Sequence, residues 1–155
     1  MAVTTAMTNV AKQDFLKGIH ILASHTYKLA LIKTGHSGTY NKATLAAGTP
    51  GTGSPTTSNL GTDEVSASGT YAAGGVTLTG ATVSISTDTA YLDFSSMAQV
   101  TGFTGSADGC MIYNDSVAGK PCIYVGAFSG APIAATAGTF DVAIPTSGLG
   151  IFEIT

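Results

Sequence analysis

The chain has 155 residues, with six Lys, no Arg, nine acidic residues and a formal net charge of −3. Charged residues make up 10% of it, against about 25% in an ordinary soluble domain. That balance argues against a nucleic-acid partner, because phosphate neutralisation needs clustered cations and bidentate guanidinium forks.

The length fits one domain, residues 1–155, and 44% apolar residues are enough to fill a single core. No stretch approaches the ~18 apolar residues of a membrane span. Met1-Ala2-Val3-Thr4 opens without the basic, then apolar, pattern of a signal peptide, so synthesis in a cytoplasm is expected. Cys110 and Cys122 are too few for the disulfide framework of a small secreted domain.

The chain opens on a helical segment within residues 1–18. Met7, Val10, Ala11 and Phe15 recur at helical spacing, Thr5 or Thr8 caps the start, and Gly18 ends it. Asp14 falls inside the apolar sector and is expected at the helix edge in water, with a buried partner or a contact to another chain as the alternatives.

From Tyr27 to Lys33 the residues alternate, with Tyr27, Leu29 and Leu31 on one face and Lys28, Ala30 and Ile32 on the other, which is a strand. Residues 34–75 lose periodicity. Their centre, Gly48-Thr49-Pro50-Gly51-Thr52-Gly53-Ser54-Pro55, is turn chemistry without a hydrophobic anchor, and so points to an extended arm ordered against a neighbour, with a simply disordered loop as the alternative.

Beyond Gly75 the chain reads as strands. Val76 and Leu78 share one parity while Ala81, Val83 and Ile85 share the other, so the inward face changes near Gly80. Ser86-Thr87-Asp88-Thr89 turns into a strand over 90–94 whose Ala90, Leu92 and Phe94 face the core. Segments 110–113 and 122–125 are apolar on both parities, which suits strands covered on both sides, and 114–119 is a hairpin loop between them. Phe140, Val142 and Ile144 alternate as a further strand, and 151–154 closes the chain. One helix followed by about six or seven short strands defines a mainly β protein, an antiparallel β-sandwich with a long irregular arm.

No chemistry converges on this frame. His20, His25 and His36 lack the paired Cys or carboxylate spacing of a metal set and read as surface or packing residues. Asp88 sits in a turn, Asp93 and Asp141 on strands, and Asp63-Glu64 in the irregular segment, without acid–base pairing or a calcium-loop pattern. No serine lies in a nucleophile elbow. The glycine-rich stretch 69–75 lacks the Lys and following helix of a phosphate cradle, and is read as a chain reversal. Cys110 and Cys122 are equidistant from Ser116, so a symmetric hairpin could oppose them, but two buried free thiols are the default in a reducing compartment. The expectation is a protein without catalytic residues, metal or cofactor.

Several motifs carry a resemblance. They are Met1-Ala2-Val3-Thr4-Thr5-Ala6-Met7 leading into Lys12-Gln13-Asp14-Phe15-Leu16-Lys17-Gly18-Ile19-His20, the strand Tyr27-Lys28-Leu29-Ala30-Leu31, and Leu60-Gly61-Thr62-Asp63-Glu64-Val65. To these are added Tyr71-Ala72-Ala73-Gly74-Gly75-Val76-Thr77-Leu78, Gly109-Cys110-Met111-Ile112-Tyr113-Asn114 and Gly138-Thr139-Phe140-Asp141-Val142. Across nearly its whole length the chain resembles the small virion structural proteins of tailed bacteriophages. The resemblance implies a capsid cement or decoration protein on the outside of the virion head, binding the major capsid protein as a homo-oligomer, dimer or trimer. The alternative is a tail or surface adhesin that binds a host receptor. On the capsid reading the contacts fall to Met7, Val10 and Asp14 of the helical segment and to Tyr40, Leu45, Pro50, Pro55 and Leu60 of the arm.

Overall fold

A computed structural model describes residues 2–44, 60–97, 99–143 and 151–154. Strand β1 (Ala6–Met7) leads into helix α1 (Asn9–Leu16). Thr8 is the cap: its hydroxyl accepts from the Ala11 amide and donates to the Cys122 carbonyl at 2.5 Å, tying the helix start to a distant strand. Lys17 ends the helix and Gly18 follows at φ +68°, the left-handed residue that terminates many helices.

Strand β2 (Tyr27–Lys33) is the organising element, lying between β3 (Val76–Thr79) and β7 (Val100–Asn114). β7 also pairs with β8 (Cys122–Ala127) and β9 (Ile133–Phe140), while β1 extends the sheet beyond β8 and β6 (Ser96–Met97) extends it beyond β3. A second sheet is built from β4 (Thr82–Ser86), β5 (Thr89–Asp93) and β10 (Phe152–Ile154), with β5 in the centre. Every ladder in the two sheets is antiparallel.

The alternation in β2 divides the interior in two. Tyr27, Leu29 and Leu31 join Leu78, Phe103, Ile112, Ile123 and Phe140 from the large sheet and Leu92, Phe94 and Ile151 from the region of the small one. The Tyr27 and Phe94 rings meet across this layer at 5.6 Å, and Phe103 packs on Phe140 at 5.0 Å. Two antiparallel sheets sharing one apolar layer make a mainly β sandwich with a single helix. Ala30 and Ile32 point the other way and are buried with Tyr40, Leu60, Met111, Tyr113, Cys122 and Val125. The large sheet is therefore covered on both faces, as the two-parity apolar segments in β7 and β8 predict.

The change of inward face near Gly80 is a change of sheet: β3 belongs to the large sheet and β4 to the small one. Gly80 adopts φ +63°, and a Cβ there would collide with the Ser95 side chain, so the bend requires glycine. Two strand expectations need correction. Phe140 ends β9 rather than starting a strand, Val142 lies outside any strand, and Ile144 is not among the described residues. Val83 and Ile85, expected inward, are 58% and 77% exposed.

The cysteines do not oppose one another. Cys110 is level with Gly126, and Cys122 with Tyr113, because the β7–β8 register shifts at Ile112/Tyr113. Both are buried free thiols, on opposite faces of the large sheet. Burial raises both pKa values, that of Cys110 to about 12. Neither thiol should react with a thiol-specific reagent in the native protein at neutral pH, and two should react after denaturation. Fast labelling of the native protein would show that the β7–β8 layer opens.

Candidate interaction surface

Several buried polar side chains hold irregular backbone. Asp63, at the end of a short 3-10 turn (Gly61–Asp63), accepts from the Ser37 amide at 2.8 Å, the Gly38 amide at 2.6 Å and the Tyr40 hydroxyl at 2.9 Å. Burial opposes the charge, but these hydrogen bonds outweigh it and hold the Asp63 carboxyl below the usual carboxylate range. Glu64 accepts from the Gly74 amide at 2.7 Å and the Tyr71 hydroxyl at 3.0 Å. Its second oxygen has no hydrogen-bond partner among the described residues, and burial raises its pKa. Tyr71 in turn receives the Leu31 amide at 2.9 Å, while Tyr113 donates to the Gly74 carbonyl at 2.5 Å. Adjacent carboxylates thus fasten two segments of the non-repetitive chain onto the sheet.

A second network joins the end of α1 to the β7–β8 loop. The Asn114 amide nitrogen lies 3.0 Å from His20 Nδ1 and 2.9 Å from His25 Nδ1, so it donates to rings whose Nδ1 atoms are unprotonated. Asn114 Oδ1 accepts from the Ser116 amide, which closes the loop. The far nitrogen of His20 lies 3.9 Å from Asp14. Desolvation lowers the His20 pKa, against the pull of Asp14 and with a further push from His25. Asp14 is thus buried, not at a wet helix edge, and the His20 nitrogen nearest to it makes no hydrogen bond among the described residues. His36 binds the Gly38 carbonyl at 2.8 Å and packs against Tyr40. Among the described residues no group of three His, Cys, Asp or Glu side chains is placed to hold a metal ion.

The expected contact residues separate into three kinds. Met7 and Val10 are half-buried, Met7 within the β1–β8 ladder. Asp14, Tyr40 and Leu60 are buried, Tyr40 and Leu60 completely, so they serve the interior and offer no outer surface. Leu45, Pro50 and Pro55 lie outside the described residues. Uncovered apolar surface occurs elsewhere: Leu16 is 91% exposed at the end of α1, Ile21 is 52% exposed in the turn after it, and Val83 and Ile85 stand on β4. Sequence reasoning placed Val83 and Ile85 in the core and singled out neither Leu16 nor Ile21. The available signal for Leu16 was its position immediately beside Lys17 and Gly18, off the Val10–Ala11–Phe15 stripe.

No protein-family model matches the chain, and neither the search of curated proteins nor that of solved structures found a match.

Proposed function

We propose that this chain is a virion structural protein of tailed bacteriophages that decorates the outside of the head by binding the major capsid lattice, acting by binding alone. The observation that carries the reading is where apolar surface is left open. Leu16 at the end of α1 and Ile21 in the turn after it stand in water, whereas the buried Asp63, Glu64 and His20 are engaged in fastening loops. Exposed aliphatic side chains on a sparsely charged surface suit a lattice contact made at many equivalent positions. The whole-chain resemblance in packing and turn motifs supports the same class.

The energetic logic is linkage. A ligand that binds the assembled shell and not its dissociated subunits stabilises the shell by about 2.7 kcal/mol per site at a free concentration one hundred times Kd. Particles lacking the protein should assemble yet lose their genome at lower temperature, and purified protein added back should restore heat resistance without cofactor or nucleotide. Leu16→Glu combined with Ile21→Glu should abolish the restoration while leaving the melting temperature of the isolated protein unchanged. Depleted particles with full heat resistance and lost attachment to host cells would instead identify a receptor-binding adhesin.

A further inference from the structure

We propose that β4 is a self-association edge, and that its occupant is β4 of a second copy of this chain, paired antiparallel about a twofold axis through Ser84. β4 ends the small sheet, and its outer edge pairs with no described residue. Edge strands are ordinarily blocked by Lys, Pro, a bulge or a cover. Thr82-Val83-Ser84-Ile85-Ser86 contains no charge and no Pro, and its ladder to β5 runs without a register shift.

The backbone parity selects the register. Ser86 and Thr89 close a hairpin around the two-residue turn Thr87-Asp88, so Ser86, Ser84 and Thr82 direct their amide and carbonyl groups towards β5. Val83 and Ile85 therefore direct theirs outward. Centring the axis on Ser84 sets Val83 of one copy against Ile85 of the other, twice, and these are the residues with free hydrogen-bonding groups. The same register is electrostatically clean. Asp88, the acidic residue of the turn, falls opposite Gly80 of the second copy, and no charged residue lies across the five-residue seam.

The side chains agree with the backbone. Val83 and Ile85 are level with Leu92 and Ala90 and share their face, so the exposed pair continues the apolar layer beyond the rim of the sandwich. Pairing brings two valines and two isoleucines together and converts two three-stranded sheets into one of six strands, within the usual range. A seam of five residues is small beside the ~1,200 Å² of a stable interface, so weak association that depends on concentration is expected. This inference goes beyond the capsid reading and does not depend on it, since it is tested on the isolated protein.

The experiment is sedimentation of the full chain over a wide concentration range, with cysteine cross-linking to fix the register. The mass should rise from one copy to two, and Ile85→Lys should hold it at one copy without lowering the melting temperature. Ser84→Cys should give a disulfide-linked dimer on mild oxidation. The two Cα atoms of a non-hydrogen-bonded antiparallel pair lie about 4.5 Å apart, inside the range a disulfide spans. Thr82→Cys should link at least about tenfold more slowly, because its counterpart is four residues away along the seam. A mass of one copy at every concentration, a mass of three copies, or equal linking of the two cysteine variants would each overturn the proposal.

Discussion

Replacing Phe103 by Ala should cost about 3–5 kcal/mol, the usual range for deleting a fully buried aromatic side chain. Phe103 has no exposed surface, and its ring packs against Phe140 at 5.0 Å and against Tyr71 at 6.2 Å. It therefore joins three parts of the chain: the long strand β7, the end of β9, and the loop held by Glu64. Removing the ring leaves a cavity that none of these can fill alone, because each is fixed by backbone pairing or by a hydrogen bond to a buried carboxylate. For a domain of this size each kcal/mol corresponds to about 2–4 °C, so a fall in melting temperature of roughly 6–20 °C is expected. Ile85→Ala is the control, since it deletes an exposed side chain and should change stability by no more than about 0.5 kcal/mol in dilute protein. Similar melting of wild type and Phe103→Ala would mean that the ring is not enclosed between Phe140 and Tyr71 as described.

Local signals in the sequence were legible wherever side-chain periodicity and backbone chemistry coincide. The strand over Tyr27–Lys33 has its faces as alternation predicts, because both parities are apolar enough to be buried and each meets a different cluster. Thr8 and Gly18 mark the two ends of the helical segment for reasons contained in their own side chains. The hairpin turn at Thr87-Asp88 is legible in the same way.

What alternation does not reveal is whether anything lies over an apolar face. Val83 and Ile85 have the same pattern as a core strand and differ from Leu92 in lying one strand further out, on the edge strand of the small sheet. The N-terminal half of β7 and the whole of β9 were obscure for another reason. Gly102 and Gly105 dilute the first, the Ala- and Thr-rich sequence from Ile133 dilutes the second, and their pairing is fixed by partners distant in the chain.

Tyr40 and Leu60 show the limit of reading irregular segments. No period marks them, yet they cover the face formed by Ala30 and Ile32, and the backbone around Tyr40 is held by the N-terminal residues, with the Thr4 amide donating to its carbonyl at 2.9 Å. The flanks of the supposed arm are thus part of the sandwich. The same holds for Asp63 and Glu64, which look like surface carboxylates in sequence and prove to be the groups that fasten these flanks. Two of the few charges, Asp63 and Glu64, are thus committed to holding backbone.

Replacing Asp63 by Ala should cost about 3–5 kcal/mol, since the Ser37 and Gly38 amides and the Tyr40 hydroxyl would lose a shared acceptor and each orphaned buried donor costs about 1–3 kcal/mol. Asp63→Asn keeps one acceptor oxygen but turns an amide nitrogen towards one set of donors, so it should fall between wild type and Ala. The two variants separate geometry from charge through pH. The folded carboxyl titrates below its ordinary value, so the unfolded chain takes up a proton first as pH falls. The stabilisation by ionised Asp63 is therefore complete above the unfolded pKa, about 3.9, and is lost as pH drops through the folded value. Chemical denaturation from pH 7 to pH 2.5 should show the gap between wild type and Asp63→Asn wide and constant above about pH 5, then narrowing towards acid. The contribution of Asp115, whose pKa is also lowered, is common to both proteins and cancels in that difference. A gap that stays constant to pH 2.5 would mean that the flanks are held by the shape of the side chain alone, and that the charge on Asp63 contributes nothing to fastening them to the sheet.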